Sequence, residues 1–224
     1  MQEKKKELNF LRSNHNSTKR NYLKRMNNSK VECMIEAKKY GKNYWDGNRK
    51  FGYGGYKYIP NRWDKIAKKI IKKFKLNNNS KILDVGCGKG YLLFEIKQLL
   101  PGVNIVGLEK SKYAIKNSKK EIKKKIFFQA AEKKYSFKKK YFDLALSFGC
   151  FHNLKIYDLK QALSEIVRVS KKTYIMVESY RNDKELFNLQ CWALTCHSFF
   201  SKDEWKWILR EYNYNRNYEF IYFN

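Results

Sequence analysis

The chain has 224 residues, room for one domain of ordinary size plus an extension, and enough to bury a real core. Its formal charge is +28, from 49 basic against 21 acidic residues, which fits either an anionic partner such as nucleic acid or a solvated lysine-rich surface. Five cysteines, odd in number and with no C-x-x-C pair, argue against a disulfide framework or a zinc module; the absence of a long apolar run argues against a membrane span. A soluble chain in a reducing cytoplasm is expected.

Residues 1–30 are polar and carry little apolar periodicity. Glu7, Leu8, Phe10 and Leu11 predict a short helix; the remainder reads as mobile, with His15 in solvent. Val31, Met34, Ile35 and Ala37 predict a helix reaching Lys39 and closing near Gly41. The stretch from Tyr44 to Tyr58 then sets Trp45, Tyr53, Tyr56 and Tyr58 among glycines with no helical or strand period. Asp46, Arg49 and Arg62 lie near these rings. Rings for stacking and charges for orientation read as a substrate lid; a lid packed only for stability is the other reading. The expected organisation is an N-terminal extension over 1–60 and a main domain over 61–224.

Trp63, Ile66, Ala67, Ile70, Ile71 and Phe74 keep the spacing of an amphipathic helix, its lysines mostly on the other face. Ile82 to Val85 reads as a buried strand, followed by Gly86, Gly88 and Gly90, then by a helix carrying Leu92, Leu93, Ile96, Leu99 and Leu100. Glycine lets a ligand touch the main chain, and a helix start attracts anionic or polar groups. The spacing is G-x-G-x-G, not the G-x-G-x-x-G of dinucleotide binders.

Leu83-Asp84-Val85-Gly86-Cys87-Gly88-Lys89-Gly90 resembles the first motif of class I S-adenosylmethionine-dependent methyltransferases. The resemblance covers roughly residues 61–180. It implies S-adenosyl-L-methionine as cofactor and an α/β, Rossmann-like, mostly parallel sheet of about six strands with helices on both faces. Asn104 to Glu109 reads as the second strand, ending where the class carries its ribose-binding acid; a carboxylate there accepts both ribose hydroxyls. By resemblance the cofactor contacts fall on Asp84, Gly86, Cys87, Gly88, Gly90, Glu109, Lys110, Ala131, Ser147 and Phe148. The class usually has Asp or Asn after the third strand for the adenine amino group. Here Ala130-Ala131-Glu132 stands in its place, leaving Glu132 or backbone amides for that contact.

Ser111 is expected to cap a helix from Lys112 to about Lys124, followed by a third strand from Lys125 to Ala130. Tyr141 to Phe148 predicts the fourth strand. Its Phe-Asp-Leu start and the His152-Asn153-Leu154 that follows it resemble the fourth motif of the small-molecule branch, and N-P-P-Y is absent. A helix from Tyr157 to Ser170, a strand from Lys172 to Ser179, and a helix with Leu186, Leu189, Trp192 and Leu194 follow. Ser201 to Glu204 reads as a capping box opening a helix with Trp205, Ile208 and Leu209. Tyr218 to Phe223 alternates as a last strand. Most class members insert a seventh, antiparallel strand; this chain predicts six, with a truncated edge.

Methyl transfer from a sulfonium needs mainly alignment, with a base for some acceptors. His152, with a free pKa of about 6.5, is the leading base, or else it packs beside the cofactor or bonds the loop backbone. Glu178 is a second candidate. Trp45, Tyr53, Tyr56, Tyr58, Tyr180 and His197 are the candidate acceptor contacts, and no metal set is evident. The expected acceptor is an oxygen or nitrogen of a small polar metabolite, such as a sugar or nucleotide-linked sugar. RNA as substrate and a silent cofactor-binding scaffold are the alternatives.

Overall fold

A computed structural model describes residues 6–53 and 56–224. Residues 1–5 of the polar arm, and Gly54 and Gly55 of the aromatic stretch, lie outside the described residues. The N-terminal segment carries short helices α1 (Arg12–Asn16), α2 (Tyr22–Met26), α3 (Lys30–Ala37) and α4 (Lys42–Asp46), then a 3-10 turn at Arg49–Phe51. The strand–helix alternation follows: α5 (Asp64–Phe74), β1 (Lys81–Val85), α6 (Tyr91–Leu99), β2 (Asn104–Glu109), α7 (Lys112–Lys116), β3 (Ile126–Phe128) and β4 (Phe142–Phe148). It continues through α8 (Ile156–Val169), β5 (Ser170–Glu178), α9 (Asp183–Trp192), α10 (Lys202–Glu211) and β6 (Asn217–Ile221).

The six strands form one sheet in the order β3-β2-β1-β4-β5-β6. Every pairing is parallel, including β5 with β6, where Tyr174 registers with Asn217 and Glu178 with Ile221. No antiparallel strand separates them. Neighbouring side chains on a strand leave on opposite faces. In β5, Tyr174 and Met176 enter one core with α5, α6 and Phe10, while Ile175 and Val177 enter the other with α8 and α10. Apolar residues on both faces are what a parallel sheet covered by helices requires.

Order reverses between β1 and β4. β2 and β3 lie to one side of β1, and β5 and β6 beyond β4. The loops leaving the C-terminal ends of β1 and β4 therefore diverge, and a crevice opens between them.

Three expectations are corrected. Glu7 to Leu11 is not a helix. Glu7 bridges Tyr218 in parallel, Leu8 N–H donates to Tyr218 O at 2.8 Å, and Tyr218 N–H donates to Lys6 O at 3.2 Å. The unpaired edge of β6 needs partners, and this segment supplies them. Phe10 then packs against Phe74 and Tyr174, at 6.4 and 5.1 Å between ring centres. The buried Glu219 carboxylate accepts from the N–H groups of Phe10, Leu11 and Arg12 and from the Tyr174 hydroxyl, at 2.6–2.9 Å. A buried carboxylate demands donors, so the segment is fixed from both sides.

His15 is not solvated either. Its ring lies 4.8 Å from that of Phe223, edge-on, and burial together with Arg20 pushes its pKa down to about 4. Finally, the helix expected from Lys112 to Lys124 ends as α7 at Lys116. The Asn117 side chain donates to Tyr113 O and the Ser118 hydroxyl to Ile115 O, closing the turn. Among the described residues, no helix is long and apolar enough to cross a membrane.

Candidate active site

The β1–β4 crevice is a cleft of ≈ 1100 Å³ counting its open mouth. Its floor is the turn from β1 into α6. Gly86 and Gly88 hold φ of +75° and +58°, backbone that L side chains rarely adopt. A Cβ at Gly86 would stand 2.6 Å from the Cys150 side chain, and one at Gly88 would stand 2.9 Å from the Trp45 ring. The turn is tied down where the N–H groups of Gly86 and Cys87 donate to Leu108 O, at 2.8 and 3.2 Å.

Glu109 ends β2 beside this turn and is 5% exposed. One carboxylate oxygen accepts from Gly88 N–H and the other from Ser111 N–H, each at 2.8 Å. Burial raises its pKa, and these backbone donors pull the other way. Each oxygen keeps a lone pair for a further donor. The carboxylate can thus receive two adjacent hydroxyls, the pattern of a ribose.

Asp84, at the end region of β1, is also buried. Its Oδ1 has no hydrogen-bond partner, and burial, helped by the nearby Glu109 charge, pushes its pKa up to about 7. An unpartnered buried carboxyl on a cleft wall suits a cationic ligand group. The residues present therefore fit a nucleoside at Glu109 and a positively charged tail near Asp84.

The N-terminal segment packs on the same turn. Lys89 is buried and its ammonium meets both Asp46 oxygens, at 2.6 and 2.8 Å. The Tyr113 hydroxyl donates to Asp46 as well, at 2.9 Å. The Trp45 indole N–H donates to the Ser111 hydroxyl oxygen, which caps α7 and itself donates to Tyr40 O. Tyr40, Tyr44, Trp45 and Tyr56 form a ring cluster with centres 4.6–5.2 Å apart. Edge-to-face pairs of this kind add about 0.5–1.5 kcal/mol each beyond burial.

Of the residues expected from the sequence, Asp84, Gly86, Cys87, Gly88, Glu109, Lys110, Ala131, Phe148, Trp45 and Tyr56 line the cleft. Gly90 does not; it starts α6 and faces Ile122 and Ile126. Ser147 is fully buried and donates to Val85 O at 3.0 Å, joining β4 to β1 behind the wall. Tyr58 lies on the outer side of α6, where its hydroxyl donates to Glu95. Tyr180 bridges Ser201, and its hydroxyl donates to Glu204. His197 is exposed, and its N–H donates to His152 O at 3.0 Å. Tyr53 is held away from the wall, its hydroxyl accepting from the N–H groups of Leu194 and Thr195.

His152 and Glu178 face each other at the ends of β4 and β5, outside the cleft lining. His152 Nδ1 accepts from Glu178 N–H at 3.2 Å, so the ring proton sits on Nε2, 3.4 Å from Glu178 Oε2. Burial pushes the His152 pKa down to about 3 and Glu178 up to about 7, the latter opposed by Arg20. At neutral pH the contact is a neutral imidazole N–H facing a carboxyl group, not an ion pair. Sequence reasoning missed Lys89, Tyr40, Tyr44 and Trp63. Lys89 sits inside the glycine motif, where a side chain must face either the ligand or the lid, and that position was a usable signal.

Comparison with known proteins is consistent with this geometry. Residues 76–213 match the family model described as methyltransferase domain, and residues 3–134 match that of protein-L-isoaspartate(D-aspartate) O-methyltransferase. No curated protein sequence matches the chain. Among solved structures, the plantazolicin methyltransferase BpumL shares 19% identity over 83% of this chain and 77% of its own, with a TM-score of 0.56. The BH2331 protein of Bacillus halodurans C-125 shares 19% identity over 65% of this chain and 67% of that one, with a TM-score of 0.54. YcgJ of Bacillus subtilis shares 19% identity over 65% and 66%, with a TM-score of 0.51. The chain spans about two thirds of the length of these last two. At such identities the likeness shows the fold alone. The family models carry the assignment: the chain belongs to the class I methyltransferases, enzymes that take their methyl group from S-adenosylmethionine.

Proposed function

We infer that this enzyme methylates an oxygen or nitrogen of a small polar acceptor, with Glu178 as the proton acceptor. One observation carries the reading. Glu178 is a buried carboxyl at the end of β5 whose Oε2 has no hydrogen-bond partner and whose pKa stands at about 7. A base poised near neutral pH both accepts a proton and remains mostly available.

The bound donor supplies a methyl activated by its sulfonium, so the chain has to hold and align. Glu109 receives the ribose hydroxyls, the turn at Gly86–Gly88 the amino-acid portion, and Asp84 its ammonium. Ala131 and Glu132, both on the cleft wall, stand where the class holds adenine. The segment with Trp45 and Tyr56 acts as the lid over the acceptor. His152, neutral, accepts from the Glu178 backbone N–H and so fixes the end of β5, leaving the base role to the Glu178 carboxyl. Tyr53 and Tyr56 lie within electrostatic reach of Glu178 and mark the acceptor side.

The match of residues 3–134 to the isoaspartate O-methyltransferase family favours a second reading, in which the acceptor oxygen belongs to a carboxylate. A carboxylate needs no base. A panel of hydroxylated metabolites, nucleotide-linked sugars, an isoaspartyl peptide and transfer RNA, assayed with labelled donor, separates these readings. Glu178→Gln should lower kcat by about 100-fold or more for a hydroxyl or amine acceptor, with S-adenosylhomocysteine binding intact. Equal kcat for Glu178→Gln and wild type on such an acceptor refutes the first reading; transfer to the isoaspartyl peptide alone establishes the second.

A further inference from the structure

A second pocket, ≈ 860 Å³ counting its open mouth, lies between α2, the 3-10 turn at Arg49–Phe51 and the end of α9. Lys19, Arg20, Lys24, Arg25, Arg49 and Lys50 surround Trp192, three asparagines complete the rim, and no acidic residue lines it. This differs from the lysines of α5, which lie exposed along one helix and include a pair with Asp64. The chain uses arginine sparingly, yet three arginines converge on one ring here. Their guanidinium carbons stand 5.4, 4.8 and 5.8 Å from the Trp192 ring centre for Arg20, Arg25 and Arg49.

The cluster is charged and has no carboxylate in direct contact. Among the described residues, none of the six cations has a carboxylate within salt-bridge distance. Carbonyls hold two of the guanidinium groups: Arg25 donates to Arg49 O and Gly52 O, each at 2.8 Å, and Arg20 to His15 O and Thr18 O. The Nε atoms of Arg20 and Arg25 are buried with no hydrogen-bond partner. Burial lowers the pKa of both arginines, and Arg49 lowers each further. Like charges held this closely, with donors left over, are a site prepared for a multivalent anion.

The pocket adjoins the acceptor side of the enzyme. Arg20 also acts electrostatically on Glu178. The Tyr53 ring lies 6.4 Å from Trp192 and 6.0 Å from Tyr44, and Tyr44 in turn meets Trp45, the residue above Gly88. We propose that this pocket binds the phosphate or diphosphate group of a small-molecule methyl acceptor, through Arg20, Arg25, Arg49 and the surrounding lysines. The proposal deepens the small-acceptor reading above and rests on it for the identity of the ligand as the acceptor. A single carboxylate is too little charge for six cations, whereas guanidinium forks match phosphate oxygens two at a time. Nucleic acid fits less well: Trp192 is 8% exposed and covered by guanidinium planes, so the pocket offers no free ring for base stacking.

The test is calorimetric titration of the full chain with inorganic pyrophosphate, beside S-adenosylhomocysteine as a control for the folded cofactor site. Arg49→Gln combined with Lys24→Gln removes two exposed cations and, of the contacts that hold the fold, only the Arg49 stack on Trp192. Wild type should bind pyrophosphate, and the double variant should bind it at least tenfold more weakly while binding S-adenosylhomocysteine as before. No pyrophosphate binding by wild type that binds S-adenosylhomocysteine overturns the proposal, as does equal binding by the variant. A single-stranded RNA that binds far more tightly than pyrophosphate, with the same loss in the variant, overturns it in favour of nucleic acid. The titration needs no turnover, so its failure is distinguishable from failure of the Glu178 reading in the acceptor panel.

Discussion

Glu109→Gln is the most discriminating change at the cofactor site. The glutamate spends one oxygen on Gly88 N–H and the other on Ser111 N–H, both at 2.8 Å, in a site only 5% exposed. Glutamine keeps the shape but has a single acceptor oxygen. Whichever way the amide turns, its NH2 faces one of these N–H groups and leaves it unpaired. A buried unsatisfied donor costs about 1–3 kcal/mol, which at this chain length lowers Tm by about 2–12 °C. Binding suffers separately. One ribose hydroxyl loses a charged acceptor, a bond contributing about 1.5–3 kcal/mol, so S-adenosylhomocysteine affinity should fall about 10- to 150-fold. Calorimetric titration and thermal unfolding on the same preparation read both effects. Unchanged affinity in the folded variant, within about twofold, would refute the placement of the ribose at Glu109.

Asp84 gives a pH prediction. Its folded pKa, raised to about 7, means that a cationic ligand must first displace a proton at mildly acid pH. Donor affinity should rise about tenfold per pH unit from pH ~5.5 towards ~7 and then level, while Asp84→Asn binds weakly and without that slope; a flat wild-type profile rules the pairing out. In the ligand-free chain the unfolded state releases this proton first, so the Asp84 contribution to stability declines as pH rises from ~4 to ~7. Asp46→Asn removes the charge that meets the buried Lys89 ammonium. It should cost about 1–3 kcal/mol in denaturant unfolding and expose the lid to limited proteolysis; an unaltered protease pattern counts against the Lys89–Asp46 tie as the latch. Gly86→Ala must adopt φ of +75° with its Cβ 2.6 Å from Cys150. It should lose about 1–2 kcal/mol from the backbone alone, whereas Gly41→Ala, with nothing within 4 Å of the new Cβ, should leave the unfolding free energy within about 0.5 kcal/mol of wild type.

Much of the sheet was legible because its signals are local. Ile82–Val85, the glycine turn and the apolar face of α5 are periodic patterns that tertiary packing only has to accept. The boundaries that slipped did so where competing hydrogen bonds decide them. Asn117 and Ser118 end α7 with their own side chains, which a lysine-rich helical pattern does not reveal. Of the ten cofactor positions expected by resemblance, Gly90 and Ser147 stand behind the cleft. The motif that names them fixes chain geometry as much as ligand contact. Tyr58, four residues beyond Gly54, shares composition with Trp45 but lies on the far side of α6. Composition cannot tell those two rings apart, since the stretch that carries them has no period to orient them.

The sequence by itself determined the strand–helix alternation, the strained glycine turn and the acid at the tip of β2. Each depends on residues a few positions apart. Only the tertiary structure decided the rest. It put residues 6–8 on the free edge of β6, because Glu219 and that edge need donors and acceptors from far along the chain. It latched Asp46 onto Lys89, turned His152 into a neutral partner of Glu178, and gathered Arg20, Arg25 and Arg49 on Trp192. Burial set the charge states of His152 and Glu178, and burial belongs to the folded chain, not to any one stretch of it.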